Sequence, residues 1–560
     1  MSTPTTYCNP LNLNYRFQEH KPTVACRREA ADPSVVIYRD RYWLFASKSG
    51  GYWYSDDLLS WSFVPTTILP TEDYAPDVRV INDWIYFTAS RHAPECPVYR
   101  TQKPENDAWE FVGAHLIYWD PNMFQDDDGR VYLYHGCSNQ NPLYALELDP
   151  DTMEAKSEPL EVVPNHRQHE HGWERSGPAN CTMNPPWLEG AWMTKHAGRY
   201  YLQYAGPGTE FDVYADGVCI GDHPLGPFKY AAHNPFSIKP GGFMAGAGHG
   251  STFQDRFGNW WHASTMCITV HHNFERRVGI WPAGFDEDGI LFCNTRFGDY
   301  PISVPKAAWD PWADALPRWM LLSYRRPVKA SDALPDHPAQ NAVDESVRTW
   351  WAAPDNRDQW LQIDLLNTAT IHAVQINFAE EQCRQYFREG GPLFHQYVLE
   401  ASGDGQEWFP LVDRQKGTED VPHSYVELEM PVKARHVRLT IHHMPGQGKP
   451  AVSGLRIFGR GAGEAPGTPD KLNVQRNPED PCHVELTWDA VPDADGYNIR
   501  WGIAPDKLYS DWLVHGQTEL TMRCLNANQN YHFAIEAFNA AGISSAANVA
   551  LPMRGTRALN

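Results

Sequence analysis

Asp128-Gly129-Arg130-Val131-Tyr132-Leu133-Tyr134 reads as a tight turn running into an alternating, aromatic-rich strand. The same pattern stands at Arg39-Asp40-Arg41-Tyr42-Trp43-Leu44-Phe45 and Asn82-Asp83-Trp84-Ile85-Tyr86-Phe87, and returns at Ala197-Gly198-Arg199-Tyr200-Tyr201-Leu202 and Phe257-Gly258-Asn259-Trp260-Trp261-His262. A turn-plus-strand unit recurring roughly every 40–70 residues predicts a β-propeller, in which each four-stranded blade buries its faces only against its neighbours. Five copies predict five blades.

After Tyr300 the repeat stops, and Pro301, Pro305, Trp309, Pro311 and Trp312 lead to Arg325-Arg326-Pro327. A second Gly/Pro-rich stretch runs from Gly461 to Gly467. The expected units are therefore a propeller over 1–320, a second all-β unit over 328–460 and a sandwich-sized unit over 467–555. A chain of 560 residues is too long for one core and fits about three or four domains.

The formal net charge of -22 disfavours a nucleic-acid partner, which needs a basic surface. The N-terminal stretch has neither a basic start nor a long apolar run, so neither a signal peptide nor a membrane anchor is expected. The 11 cysteines are scattered without CxxC pairs, which suggests reduced thiols and a cytoplasmic location, or a periplasmic or secreted one had a leader been removed.

Three acidic residues stand at strand starts in different repeats: Asp32 in Ala31-Asp32-Pro33, Asp120 in Trp119-Asp120-Pro121 and Glu189 in Leu188-Glu189-Gly190. The innermost strands of a propeller converge on its axis, so carboxylates at equivalent strand starts can meet there. Glycoside hydrolysis needs one carboxyl to protonate the leaving oxygen and a second to activate water or attack the sugar. A third negative charge would keep the acid protonated near neutral pH. Glu174 is the rival acid. An Asp-Pro pair alone is also a common turn opener.

Residues 31 to about 300 resemble glycoside hydrolase family 43, through Ala31-Asp32-Pro33-Ser34-Val35-Val36, Ser55-Asp56-Asp57-Leu58-Leu59-Ser60-Trp61, Ala75-Pro76-Asp77-Val78, Asp120-Pro121-Asn122-Met123-Phe124, Glu189-Gly190-Ala191-Trp192 and Gly248-His249-Gly250. The resemblance implies an inverting mechanism with Asp32 as general base, Asp120 as pKa modulator and orienting residue, and Glu189 as general acid. Glu189 is followed by Gly-Ala-Trp where many members carry Gly-Pro. Trp53, Asp77, Trp187, Phe211 and Arg277 are the implied substrate-binding residues, with Arg276 competing for the place of Arg277. His249 is the implied ligand of a calcium or other cation in the channel, with a hydrogen-bonding role as the alternative. No cofactor is otherwise required. His166, His169 and His171 lack a recognised metal spacing.

Residues 328–460 resemble a discoidin-like module of the kind that includes family 32 carbohydrate-binding modules, through Thr349-Trp350-Trp351, Trp360-Leu361-Gln362-Ile363-Asp364-Leu365 and Ser402-Gly403-Asp404-Gly405. Trp351 and Trp360 read as core and Trp350 as a sugar contact. Residues 467–555 resemble a fibronectin type III domain through Leu486-Thr487-Trp488 and Gly496-Tyr497-Asn498-Ile499-Arg500-Trp501. The expected whole is an all-β exo-glycosidase of α-L-arabinofuranosidase or β-D-xylosidase type acting on oligo- or polysaccharides. A β-D-galactofuranosidase or exo-galactanase of the same fold, or a non-catalytic carbohydrate-binding protein, stands as the alternative.

Overall fold

The computed structural model describes residues 4–18, 26–71, 73–356, 358–384 and 393–551. The extreme ends of the first and third expected units, 1–3 and 552–555, lie outside the described residues. Five antiparallel sheets follow one another along the chain, and their first strands are Ala31–Tyr38, Tyr74–Ile81, Asn122–Gln125, Glu189–His196 and Ala245–Gln254. Each pairs with the aromatic strand that the repeat predicts. In blades 1, 2 and 4 a two-residue loop joins them, and Arg39-Asp40, Asn82-Asp83 and Ala197-Gly198 all have positive φ. Turns of that hand match the strand twist.

The first strands share a second device. Four of the five are irregular near their start, with register breaks at Ala31/Ser34, Tyr74/Asp77, Glu189/Trp192 and Gly248/Ser251. At each break one residue has positive φ: Asp32, Ala75, Gly190 and His249, with Asp120 in the same relation to Asn122. The bulge re-aims its residue out of the sheet's alternation, and the position two residues on reaches the neighbouring blade. There Ser34 Oγ accepts from Val78 N (3.0 Å), Asp77 Oδ2 from Met123 N (2.7 Å) and Asn122 Oδ1 from Met193 N (2.7 Å). Asp216 receives His249 N and Gly250 N (2.7 and 3.0 Å), and Ser251 Oγ accepts from Val35 N at 3.1 Å, which closes the ring.

The second unit is a sandwich built on two long strands, Gln359–Phe378 and His423–His443, around its own apolar core. Met320–Leu321 already pairs with its strand Ala451–Arg460, so the unit begins before residue 328. Trp351 is buried in this core, whereas Trp360 is only partly buried. Trp350 does not face open solvent as a sugar contact would: its ring stacks on His337 at 4.6 Å and lies 5.5 Å from His271 of blade 5. The last unit has a three-stranded and a five-stranded sheet. Asn526 N donates to the Tyr531 hydroxyl five residues on (2.9 Å), the corner tie of such sandwiches. Among the described residues no helix is long and apolar enough to cross a membrane.

Asn122 is wholly buried and serves two blades, since its Nδ2 also donates to Asp77 Oδ1 (2.9 Å). Asn122→Ala strands Met193 N–H and one Asp77 oxygen, and is expected to cost about 2–4 kcal/mol in urea unfolding. Gln125→Ala, at the half-buried end of the same strand with only solvent-exposed hydrogen bonds to Asn82 and Gly129, is expected to cost less, about 1 kcal/mol or below.

Candidate active site

The bulges bring distant side chains together on the axis. His249 Nδ1 lies 3.4 Å from Asp32 Oδ1 and 3.8 Å from Asp120 Oδ2. Asp120 and Glu189 present oxygens within 4.8 Å of each other and of Cys137 Sγ. Glu189 does not occupy the bulge position itself but precedes Gly190, where a Cβ would lie 2.7 Å from the His249 ring on top of a φ of +62°. Only glycine lets Glu189 and His249 stand side by side. Asp32 and Asp120 are buried, and Glu189 and His249 reach solvent.

Hydroxyls at the ends of the second strands fix these groups. Ser47 donates to Asp32 Oδ2 (2.6 Å) while accepting from Ala75 N (2.7 Å). Ser90 accepts from Asp120 N (2.7 Å) and donates to Asp120 Oδ1 (3.0 Å). Thr265 accepts from Asp32 N at 2.8 Å. Glu189 is held by the Tyr214 hydroxyl on Oε1 and by the Cys137 thiol, 3.1 Å from Oε2.

The charges are distributed unevenly. Arg276 spans Asp32 Oδ1 (3.0 Å) and Glu29 Oε1 (2.8 Å). Burial works against ionising Asp32, but Arg276, His249 and the two hydroxyls outweigh it and hold its pKa below the ordinary value. For Asp120 burial prevails, aided by the Glu189 and Asp32 charges, and the pKa is raised. Burial alone would lower His249, yet Asp32, Asp120, Glu189 and Asp216 together raise it. One firmly ionised carboxylate and one carboxyl pushed toward its protonated form thus flank an imidazole inclined to carry charge.

Residues 21–291 match the family Glycosyl hydrolases family 43, and residues 327–455 match the F5/8 type C domain. The propeller is a glycosyl hydrolase family 43 domain. Among curated relatives, the β-D-galactofuranosidase xynD of Aspergillus niger is 26% identical over 40% of this chain and 69% of its own length. The β-xylosidase of Xylanibacter ruminicola is 29% identical over 23% of this chain and 45% of its own. This chain therefore spans less than half of that xylosidase. A crystal structure of a thermostable family-43 glycoside hydrolase aligns with 54% of this chain and 100% of its own at 22% identity and a TM-score of 0.44.

Within the family 43 domain, the expected substrate-binding residues part company. Trp53 is 0% exposed and packs in the core between blades 1 and 5, so it lines no pocket. Asp77 is spent on the blade 2–3 contact, and burial raises it to about 6. Arg277 is wholly buried and turned away from the axis, and its strand neighbour Arg276 takes the place expected of it. Adjacent strand residues face opposite sides. Trp187 is exposed, two residues before Glu189, and its N–H bonds Pro207 O in the loop that carries Phe211. Glu174, the rival acid, is sealed between Arg167 (3.0 Å) and the Tyr204 hydroxyl (2.6 Å).

His249 turns Nδ1 toward two carboxylates at ion-pair distance. The one metal-like grouping among the described residues, Asp120, Cys137 and Glu189, does not include it. His171 instead stacks on Tyr230, with ring centres 3.7 Å apart.

Tyr74 and Phe274 form an edge-on aromatic pair 5.4 Å apart beside the Arg276 guanidinium, and neither was expected. Ser47 and Ser90 carried a usable signal, since both end an aromatic repeat strand in Ala-Ser. Tyr214 and Cys137 follow strands in irregular loops and carried none.

Arg276→Ala leaves Asp32 and Glu29 buried without their shared cation. It is expected to cost about 3–5 kcal/mol near neutral pH in urea unfolding. Because the pKa of Asp32 is depressed, its contribution is present above its unfolded value and disappears as pH falls through its folded one. The gap between variant and native protein should narrow in acid.

Proposed function

We propose that the chain is an inverting, exo-acting glycoside hydrolase that releases a terminal pentose or furanose sugar from oligo- or polysaccharides. The α-L-arabinofuranosidase and β-D-xylosidase types come first. The observation that carries this reading is the meeting of Asp32, Asp120 and Glu189 around His249, from three blades. In this reading Asp32, held ionised by Arg276, takes a proton from a water as that water attacks the anomeric carbon. Glu189, the partly exposed carboxyl, gives its proton to the departing glycosidic oxygen. Asp120, between them, orients the sugar and sets the charge felt by Glu189. His249 screens the two aspartates from each other, and no step is routed through a metal.

A β-D-galactofuranosidase activity is the second reading, favoured by the span of the match to the Aspergillus niger enzyme of that name. Trp187 and Phe211 at the rim, with the Tyr74–Phe274 pair, supply aromatic faces for sugar C–H groups.

Hydrolysis of a panel of aryl pentosides and furanosides decides the sugar. Glu189→Ala is expected to lower kcat about 10²–10⁴-fold on natural linkages and much less on nitrophenyl glycosides, whose leaving groups need little protonation. Equal loss on both removes Glu189 as the acid. NMR of the first-formed anomer should show inverted configuration, and retention would overturn the role of Asp32.

A further inference from the structure

The strand Arg28–Glu29 and the start of Arg276–Phe285 form a two-faced element. Glu29 and Arg276 face Asp32, whereas Arg28 and Arg277 face the discoidin-like module. Arg277 Nη1 donates to the carbonyls of Arg28 (2.9 Å) and Arg276 (3.0 Å), and so ties together the backbones that carry the front-face pair. Its own orientation is fixed from the module: Nε donates to His423 Nε2 at 2.7 Å, and Nη2 lies 3.5 Å from Glu380. Arg28 lies 2.8 Å from Glu380 and makes a two-pronged contact with Asp420 at 2.5 and 3.0 Å. All five side chains are at most 8% exposed.

The chemistry of His423 is specific to this task. It accepts from a guanidinium only as a neutral imidazole, and burial together with Arg277 and Arg28 drives its pKa far below the ordinary value. Its Nδ1 pairs with Asn377 Oδ1 at 2.8 Å, which leaves Nε2 as the acceptor. Two buried arginines matched by two carboxylates and one neutral acceptor form a seat that spans both domains, directly behind Asp32.

We propose that the discoidin-like module is a positioning element of the active site: His423 and Glu380, acting through Arg277 and Arg28, hold the Arg276–Glu29 pair that fixes Asp32. This rests on the reading of Asp32 as the base. The module thereby contributes to turnover irrespective of any affinity for glycans.

The test uses the full chain with an aryl glycoside that the panel identifies as a substrate. His423→Phe keeps a ring but removes the acceptor. It is expected to lower kcat about ten- to a hundredfold with KM within about twofold, as slight misplacement of a reacting group does. Because Asp32 loosens from Arg276, the acid limb of kcat/KM should move to higher pH. The other groups facing Asp32, namely His249, Asp120, Glu29, Ser47, Thr265, Tyr74 and Tyr214, are unchanged by the substitution.

His423→Gln, which retains an acceptor, should recover most of the turnover, and Glu380→Gln should reproduce the kcat loss and the pH shift. If His423→Phe does not fold, Glu380→Gln carries the test. Arg435→Ala, which breaks the partly exposed pair with Asp364 elsewhere on the module, should keep native kcat and a native acid limb. Folded His423→Phe or Glu380→Gln with native kcat and a native acid limb, altered only in Tm, overturns the proposal. Asp32→Asn separates the two layers: if it keeps native turnover, the assignment of the base fails. If it is inactive while the His423 and Glu380 variants turn over normally, only the positioning role fails.

Discussion

A single backbone feature governs this molecule: the positive-φ residue at or just before the start of every blade's first strand, seated in a bulge in four of the five. A regular strand would alternate its side chains between the two sheet faces, both of which are buried against neighbouring blades, and would place no residue at the axis. The bulge removes one position from that alternation. At that position stand Asp32, Ala75, Asp120, Gly190 and His249, and the axial cluster is made of the side chains at three of the five, plus Glu189 beside the fourth. The residue two places on then bonds the next blade's backbone, so the contact that closes the ring also sets where the site residues lie. Architecture and chemistry are therefore coupled through one short segment per blade.

That coupling determines the electrostatics. Four carboxylates, counting Asp216, surround His249, yet only Asp32 has a guanidinium. At Asp120 burial outweighs His249 and the Ser90 hydroxyl, and the Glu189 and Asp32 charges add to it. Identical carboxyl chemistry at equivalent backbone positions is thus driven in opposite directions by what blade 5 supplies to one of them. Under the proposed roles this leaves Asp32 ionised as a base requires, and places the Asp120 carboxyl, pushed toward its protonated form, beside the proposed acid Glu189.

Much of this was legible in the sequence for physical reasons. The hairpin repeat is local, set by turn residues and alternation, and it placed all five blades. Asp32, Asp120 and Glu189 could be found because each lies at or just before the start of the strand that leads into such a hairpin. Trp53, Asp77 and Arg277 could not be placed, since their fates depend on which face of a strand meets which neighbour. Arg276 and Arg277 are adjacent and chemically identical, and only the face that each takes in the folded strand decides that the first meets Asp32 while the second meets His423. Trp360 was misjudged as core for the same reason, because its motif fixes a strand but not the depth of burial. Tyr214 and Cys137 arrive from irregular loops, where spacing carries no register.

The appended sandwiches are joined to the propeller by buried and half-buried charges as well as apolar contact. Arg456 of the second unit, 1% exposed, bonds Asp299 O of the first at 2.6 Å and pairs with Glu345. Arg175 of the propeller meets Asp480 of the third unit in a two-pronged contact at 2.5 and 2.9 Å. A flexible tether of binding modules would leave such groups in water, because burying an ion pair gains little over apolar packing. What a buried pair supplies is geometry: a guanidinium with its fork satisfied has one orientation, and separating the surfaces leaves a charge unpaired. The arrangement suits an enzyme whose axial site is assembled from single residues on separate blades, where a small rotation of blade 5 relative to blade 1 would part Arg276 from Asp32.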